Sequence, residues 1–475
     1  MQRLSSQDAS FLHIEDAVSH MHIGSVAIFE GPPPGYDALA RMIRAHLPSV
    51  PRYRQKVHFL PAALGRPVWV DDPHFNLGYH LRRSALPAPG GELELRNLVG
   101  RVMSQQLDRG KPLWEMWIVE GLGEGRWAIL TKVHHCMVDG VAGTELLTVI
   151  LDAERDPELP APDDWQPERQ PSGAKLAVQA LARRAVSPYE QLCAARSAVR
   201  SPRQAAKTAA TTVRGLWTMT GVVAPSPSSS LNGAIGPHRR WAWARSQLSE
   251  VKRVRGVLGG TVNDVVLTVI AGGFRALLIA REECTQRDVR TLVPVSVRSH
   301  EEHGKYNNRV SAIFANLPVG IEDPAQRLVA VRAQMEHLKE SGEAVAGDVL
   351  VGLSGFAPAM LLALALRAAT RVPQHNVNTV TTNVPGPQRP LYATGRRMLE
   401  CLPYVPIAGH VRIGVAIFSY DGALTFGVTG DYDEAADIDV LCNGIEQSMR
   451  ELVAAAERAR PANRVDQPPT APATG

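Results

Sequence analysis

The residues best suited to chemistry are two adjacent histidines, His134 and His135, followed by Asp139 and Gly140 in the septet HHCMVDG. An imidazole can take a proton from a hydroxyl group near neutral pH. The septet therefore predicts a general base, with Asp139 fixing the loop through an ion pair and Gly140 permitting a tight turn. The residues alone also allow a structural interpretation, in which both histidines pack and the aspartate shapes the turn.

Other reaction classes have less support in the sequence. It contains no GxSxG segment for a nucleophilic serine and no P-loop or GxGxxG segment for a nucleotide. Adjacent histidines on a strand point to opposite faces, which disfavours a metal site. His134 and Asp139 match the HxxxxD spacing of glycerol-phosphate acyltransferases, but nothing resembling the other phosphate-binding motifs of those enzymes follows. We expect neither a metal nor a bound cofactor.

The elements around the septet predict a first mixed α/β unit. Its predicted elements are a strand over 22–29, a helix capped by Asp37 and ending near 46, and a hairpin of strands 117–120 and 127–133 around the glycines of 121–125. A helix is expected after Gly140. The septet is thus placed at the end of a strand, a rigid position for a base.

A second α/β unit is predicted to begin near Leu231. Its predicted elements are a helix over 261–279, strands over 290–297 and 310–317, a hairpin of strands 407–418 and 423–429 joined at Asp421-Gly422, and a closing helix over 438–456. The predicted organisation is an N-terminal half over 1–153, a linker and basic helical segment over 154–230, a C-terminal half over 231–458 and a disordered tail over 459–475.

Charge and hydropathy predict where the protein resides. The net charge of the 475 residues is +4 and the mean hydropathy is −0.10, which disfavours a multi-span membrane protein. Residues 169–214 alone carry nine Lys/Arg and one acid, which predicts either a solvated helical face or peripheral attachment to an anionic membrane or lipid droplet. The low aromatic content and the lack of a recognition motif disfavour nucleic-acid binding.

An uncharged run over 349–366 has nearly the length of a membrane span, but Gly352, Gly355 and Pro358 interrupt it. It is interpreted as a bent core or tunnel-lining helix, with a membrane span and a shallow lipid-inserting patch as the alternatives. Five scattered cysteines and the lack of an export signal predict a cytoplasmic location, at the inner face of the membrane or on lipid droplets.

Several motifs together carry a family resemblance over roughly residues 1–455. HHxxxDG is the signature of the chloramphenicol-acetyltransferase-like, coenzyme A-dependent superfamily. More narrowly, the chain resembles the bacterial wax ester synthase/diacylglycerol acyltransferase family. The further stretches that support this are Pro112-Leu113-Trp114-Glu115, residues 231–236, residues 263–267 (NDVVL) and residues 382–387 (TNVPGP).

The resemblance implies two similar α/β halves with mixed sheets, flanking helices and a tunnel between them. His135 matches the family's base, which deprotonates an acceptor hydroxyl that attacks the acyl-coenzyme A thioester directly, without an acyl-enzyme. The implied acceptor is diacylglycerol, giving triacylglycerol, with a long-chain alcohol, giving a wax ester, as the second choice. The alternatives are condensation with another thioester donor and a non-catalytic lipid-droplet protein.

The resemblance also implies supporting roles. Asp139 is expected to be structural, paired with Arg54 or, as the second choice, with Arg298. Asn263 and Asn383 are candidates to stabilise the oxyanion, with satisfaction of backbone groups as the equal alternative. Asp264 and the segment 112–114 are expected to be structural.

Overall fold

The protein contains two six-stranded mixed sheets, each flanked by helices, and one small three-stranded sheet whose strands lie within residues 2–71. The computed structural model describes residues 2–60, 65–137, 149–161, 163–170, 229–296, 310–340 and 377–459. The mixed sheets and flanking helices of the predicted fold are confirmed. The predicted tunnel stays a prediction.

The N-terminal half supplies most of the first large sheet, whose order is β12-β13-β2-β7-β6-β5. Its elements are β1 (Gln2–Arg3), α1 (Ser6–Ile14), β2 (His22–Phe29), α2 (Tyr36–His46), β3 (Gln55–His58), β4 (Val68–Asp71), α3 (Leu77–His80), β5 (Leu81–Ala85), α4 (Glu92–Met103), β6 (Trp114–Glu120) and β7 (Trp127–His134). All eight residues of β7 are buried, which explains its mostly apolar sequence.

The C-terminal half supplies the second large sheet, whose order is β10-β9-β11-β14-β15-β8. Its elements are β8 (Arg239–Gln247), α5 (Leu248–Leu258), α6 (Val262–Ala280), β9 (Val289–Ser296), β10 (Val310–Leu317), α7 (Pro324–Glu340), β11 (Thr379–Pro385), β12 (Tyr392–Ala393), β13 (Arg396–Tyr404), β14 (Ile413–Tyr420), β15 (Ala423–Asp431) and α8 (Ile438–Ala459). Asp421 and Gly422 both have positive φ, which matches the predicted two-residue hairpin turn.

The two halves share a sheet. β13 leaves the C-terminal part of the chain and pairs antiparallel with β2, with Cys401 opposite Ala27, and β12 extends the same edge. The core that packs on this sheet accordingly includes Met398, Phe418 and Tyr420 beside residues of the N-terminal half. The position of the first sheet is therefore tied to the fold of the second half.

Helix α6 lies in the core of the C-terminal half. Thr261 is its N-cap residue, one position before the helix begins, so the helix predicted over 261–279 is confirmed. Among the described residues, α6 is the helix whose length and apolar composition would suffice to cross a membrane, but 72% of its most apolar window is buried inside the protein. Burial of this kind is typical of a core helix.

Three boundary predictions were wrong. The strand predicted over 117–120 begins earlier, at Trp114. The N-cap of α2 is Gly35 rather than Asp37, which lies in the first turn and faces the positive end of the helix dipole. The strand predicted from 407 begins at Ile413, because Gly409 with φ 64° and a Val411 N–H bond to the Ala408 carbonyl turn the chain before it.

The described part of the predicted linker is bound to the N-terminal half. Residues 154–161 and 163–170 form no helix or strand, as expected of a linker. Asp163 nevertheless accepts two hydrogen bonds from Arg54, at 2.5 and 2.8 Å, and the Glu168 N–H donates to Asp71 at 3.0 Å. The helix expected after Gly140, most of the basic segment, the run over 349–366 and the tail from 460 lie outside the described residues.

Candidate active site

The first histidine of the septet closes β7. His134 is the last residue of the strand and pairs with His22 of β2, and its side chain is buried. The backbone N–H of Cys136 donates to His134 Nδ1 at 3.1 Å, so Nδ1 is an acceptor and a neutral ring carries its proton on Nε2. His134 Nε2 lies 3.5 Å from a carboxylate oxygen of Glu15. In His134, Nδ1 therefore accepts a hydrogen bond and Nε2 faces the Glu15 carboxylate, so this ring does not offer a free base.

The second histidine lies in a 3₁₀ turn, His135–Met137, directly after the strand. Its ring stacks on Phe11, with ring centroids 3.9 Å apart and planes at 25°. Its backbone N–H donates to the Met21 carbonyl at 2.8 Å. The ring atom Nδ1 is buried and has no partner among the other described residues. The ring and the backbone of His135 are therefore positioned by α1 and by the segment just before β2.

Burial determines the charge of His135. Desolvation by the surrounding protein lowers the pKa of His135 from 6.5 to about 4, against a smaller opposing effect of its own backbone. The ring is therefore neutral at pH 7. A neutral imidazole has the protonation state that a general base requires.

A buried carboxylate, Glu15, lies behind the histidine pair. Its two oxygens lie 3.2 Å from His22 Nε2 and 3.5 Å from His134 Nε2, and Arg109 donates to one of them at 2.6 Å. Burial alone would raise the pKa of Glu15, but the close contacts with His134 and His22 and the hydrogen bonds from Arg109 outweigh it and hold the pKa far below its usual range. Glu15 is therefore a permanent anion that orients His134.

Helix α1 positions two residues that contact the histidine pair, Phe11 and Glu15. Phe11 lies on α1, and Glu15 follows its last residue, with its N–H bonded to the Phe11 carbonyl. Sequence reasoning missed Phe11, Glu15 and His22, which lie far from the septet in the sequence. The available signal was a cluster of titratable residues, with Glu15 and His20 before the predicted strand and His22 at its first position.

The two predicted asparagines of the second half meet each other. Asn263 lies in the first turn of α6, and Asn383 lies near the end of β11. The Asn383 amide donates to Asn263 Oδ1 at 3.4 Å, and both residues are partly exposed. Val384, next to Asn383, packs against the core that contains Cys136 and Met137. The end of β11 thus borders the same core as the turn that carries His135.

Asp264 has the geometry of a helix cap. Its Oδ2 accepts the Thr261 N–H at 2.7 Å, and the Thr261 hydroxyl accepts the Asp264 N–H at 3.2 Å, a reciprocal capping box. Its other oxygen is buried without a partner among the described residues.

Two further motif segments are structural. Trp114 is buried, donates to the Tyr53 carbonyl at 2.8 Å and stacks on His80 at 4.6 Å. Asn232 donates to the carbonyls of Val377 and His410, which fixes the approach to β11. Neither side chain is among the described contacts of His134 or His135.

The predicted partner of Asp139 stays open. Asp139, Gly140 and Arg298 lie outside the described residues. Both terminal nitrogens of Arg54 donate to Asp163, and its guanidinium also packs over Trp165, so the structure gives Arg54 a different carboxylate. No group of three His, Cys, Asp or Glu in the described ranges is arranged to hold a metal.

Comparison with known proteins places these motifs in one family. The wax ester synthase/diacylglycerol acyltransferase catalytic-domain model matches residues 4–266, and the model of the family's C-terminal domain matches residues 306–453. The probable diacylglycerol O-acyltransferase tgs1 of Mycobacterium tuberculosis is 40% identical over 98% of both chains. A further M. tuberculosis protein named as a diacylglycerol O-acyltransferase is 34% identical, over 96% of this chain and 91% of its own.

Solved structures agree with this assignment. The wax ester synthase/diacylglycerol acyltransferase of Marinobacter aquaeolei superposes with a TM-score of 0.66 at 25% identity, covering 96% of this chain and all of that one. The first condensation domain of the calcium-dependent antibiotic synthetase superposes with a TM-score of 0.56 at 18% identity over 98% of both chains, a likeness of fold. The chain therefore belongs to the wax ester synthase/diacylglycerol acyltransferase family.

Proposed function

We propose that this protein transfers an acyl group from a coenzyme A thioester to the hydroxyl of diacylglycerol, forming triacylglycerol, with His135 as the general base. The observation that supports it most is the state of His135, a neutral imidazole that stacks on Phe11 and whose backbone N–H is bonded to the Met21 carbonyl. Family membership and the names of the 40% identical relatives support the choice of acceptor.

The proposed reaction is one direct displacement. His135 Nε2 takes the proton of the acceptor hydroxyl while the oxygen attacks the thioester carbonyl carbon. The carbonyl oxygen becomes negative in the tetrahedral intermediate, and the C–S bond then breaks. The thiolate leaves and receives the proton from the His135 imidazolium, so coenzyme A departs as the free thiol and the base is restored. An acyl-enzyme is unnecessary because the base activates the acceptor directly.

The second half is proposed to stabilise the oxyanion. Asn383 is a neutral amide donor whose present partner, Asn263 Oδ1, is distant at 3.4 Å. A donor so weakly bonded loses little on turning to a developing oxyanion, where donors act most strongly. The alternative is that the two amides only join α6 to β11.

The protein is further proposed to act at a lipid surface. Diacylglycerol is collected from a lipid phase, and the nine cations of residues 169–214 would attract anionic headgroups. Vesicle co-sedimentation with anionic and neutral lipids, at low and high salt, tests this attachment. Binding that is absent under all four conditions would contradict it.

One assay separates the acceptor classes. Purified full-length protein is incubated with radiolabelled acyl-coenzyme A and, in parallel, diacylglycerol, a long-chain alcohol or an aminoacyl thioester. Labelled triacylglycerol is the expected main product, with wax ester second. Product formed from the aminoacyl thioester alone would favour condensation chemistry. No product with any acceptor would favour a non-catalytic lipid-binding protein.

A further inference from the structure

The contacts of the catalytic turn converge on one short loop. Residues 15–21 follow α1 and contribute the Glu15 carboxylate behind His134 and the Met21 carbonyl that accepts the His135 N–H. The loop is internally braced, because Asp16 Oδ1 accepts the N–H groups of Val18 and Ser19. A shift of this loop therefore moves the backbone of the base and the carboxylate behind it together.

Contacts from both halves of the molecule hold this loop. From the N-terminal half, Gln106 donates to the Asp16 carbonyl at 2.6 Å, and Arg109 donates to the Leu12 carbonyl and to Glu15. From the C-terminal half, the buried guanidinium of Arg239 donates to the Val18 carbonyl. The first residue of β8 thus reaches across to the loop that positions His135.

Arg239 is fixed by contacts with its own segment and with α4 of the N-terminal half. Its guanidinium also donates to the carbonyls of Gly236 and His238, at 2.6 and 2.8 Å. Its backbone N–H donates to the Ser104 hydroxyl at 2.9 Å, just beyond α4. A Cβ at Gly100 of α4 would come 2.7 Å from the Arg239 carbonyl, so glycine permits this close approach of helix and strand.

The electrostatics of Arg239 also favour a positioning role. Burial lowers the pKa of the guanidinium, and the negative charges acting on it are Asp431, at 4.0 Å, and Asp16 of the loop itself. An arginine keeps its charge even when buried. A buried cation whose hydrogen bonds go to carbonyls rather than to a close carboxylate is more consistent with holding backbone in place than with a stabilising ion pair.

We propose that Arg239 is a positioning residue through which the C-terminal half sets the place of the catalytic base. The C-terminal half carries β11 and the asparagine pair, which are proposed to stabilise the oxyanion. The same half would therefore also hold the loop behind His135. The inference rests on His135 being the base. Misplacement of a catalytic group by about 1 Å lowers rates on the order of 100-fold, so this contact controls turnover more than binding.

The test compares Arg239→Met with Arg281→Met in the full-length protein. Arg281 is a matched control, because it is held by Asp437 and Ser230 within the C-terminal half and does not touch the loop. We expect Arg239→Met to lower kcat on the order of 10- to 100-fold with little change in KM. Water entering a loosened site would also move the acid limb of the kcat/KM profile upward, as the pKa of His135 rises from about 4 toward 6.5. Arg281→Met should leave both unchanged.

Arg239→Lys keeps the test valid if Arg239→Met does not fold. The lysine retains the charge but reaches fewer carbonyls, so hydrogen–deuterium exchange of residues 15–22 and 131–137 should accelerate while β14 and β15 stay protected. Unchanged exchange in this variant would overturn the inference, as would equal kcat and acid limbs in Arg239→Met and Arg281→Met. If His135→Ala retains full turnover, the proposed base fails instead, whatever Arg239 does.

Discussion

The two halves surround the proposed site with different kinds of chemistry. The N-terminal half places a buried set of ionisable groups there, with the Glu15 carboxylate joined to His22, His134 and Arg109. The C-terminal half places two neutral amides, Asn263 and Asn383, at the start of a helix and near the end of a strand. In the proposed mechanism, the N-terminal half controls a proton and the C-terminal half offers neutral dipoles.

This difference follows from what each task requires. A base must stay unprotonated at neutral pH, and burial of His135 achieves that by lowering its pKa to about 4. An oxyanion needs donors that are already in place and do not change protonation state, which amide groups satisfy. The two contributions can therefore be removed separately, by variants that change either the proton acceptor or the amide donor.

Removing the base is expected to have the largest effect. His135→Ala should lower kcat/KM by about 10²- to 10⁴-fold, because a positioned general base contributes that much. Turnover with diacylglycerol and circular dichroism are measured together. His74→Ala, which changes an exposed histidine, serves as the control and should be fully active. A folded His135→Ala protein with near-normal turnover would exclude His135 as the base.

Removing the amide of Asn383, the proposed oxyanion donor, is expected to have the next largest effect. Asn383→Ala should lower kcat by about 10²- to 10³-fold with KM nearly unchanged, because the lost bond forms mainly in the transition state. Asn263→Ala is the matched variant, since it removes the present acceptor of Asn383 and leaves the proposed donor. Its loss should be smaller. Equal losses in both variants, or a fall in stability without a change in kcat, would assign the pair to structure alone.

The carboxylate behind the base is expected to have an intermediate effect. Glu15→Gln keeps the size of the side chain but removes the anion that orients His134, so kcat should fall on the order of 10-fold. The free energy of unfolding should also fall by about 1–3 kcal/mol, because buried polar groups are left unpaired. Glu120→Gln, which breaks a pair with the exposed Arg83, is the control and should change stability much less, because solvent screens an exposed pair.

The pH dependence of this loss has a definite sign. The folded protein lowers the pKa of Glu15, so its ionisation stabilises the fold above the ordinary value of 4.5, and this stabilisation is lost as pH falls through the lowered pKa. The stability gap between wild type and Glu15→Gln should therefore be full at pH 7 and narrow below pH 4.5. Urea unfolding at several pH values measures it. A gap that widens in acid would contradict the assigned charge.

Local patterns predicted much of this architecture. The strand His22–Phe29, the helix α6 with Thr261 at its start and the hairpin at Asp421-Gly422 were visible because periodicity and turn chemistry act between near neighbours. The place of His135, directly after a buried strand, was predictable for the same reason.

Long-range contacts could not be predicted from those patterns. Phe11 and Glu15 reach the histidine pair only because α1 packs beside the end of β7. Arg54 has Asp163 as its partner, and β13 joins the first sheet, through pairings between distant segments that periodicity does not encode. The position of the proposed base was therefore predictable from the sequence, whereas the contacts that control its pKa were not.

The smallest expected effect concerns Asp264, the capping residue beside Asn263. Asp264→Ala removes the carboxylate that accepts the Thr261 N–H at 2.7 Å. The negative charge of this carboxylate also interacts favourably with the positive end of the α6 helix dipole, and that interaction is lost as well. Loss of a cap costs about 0.5–2 kcal/mol. The second carboxylate oxygen is buried without a partner among the described residues, so its removal recovers part of a desolvation penalty, and the net loss should lie toward the lower end of that range.

The activity of the same variant tests whether capping and chemistry are separate in the second half. Turnover at a temperature where the protein is folded should stay close to wild type, because Asp264 only holds the start of the helix that carries Asn263. Thr261→Ala, which removes the other half of the capping box, should behave in the same way. If Asp264→Ala instead loses turnover as strongly as Asn383→Ala while Thr261→Ala does not, the carboxylate takes part in the reaction, and the second half would not be a site of neutral dipoles alone.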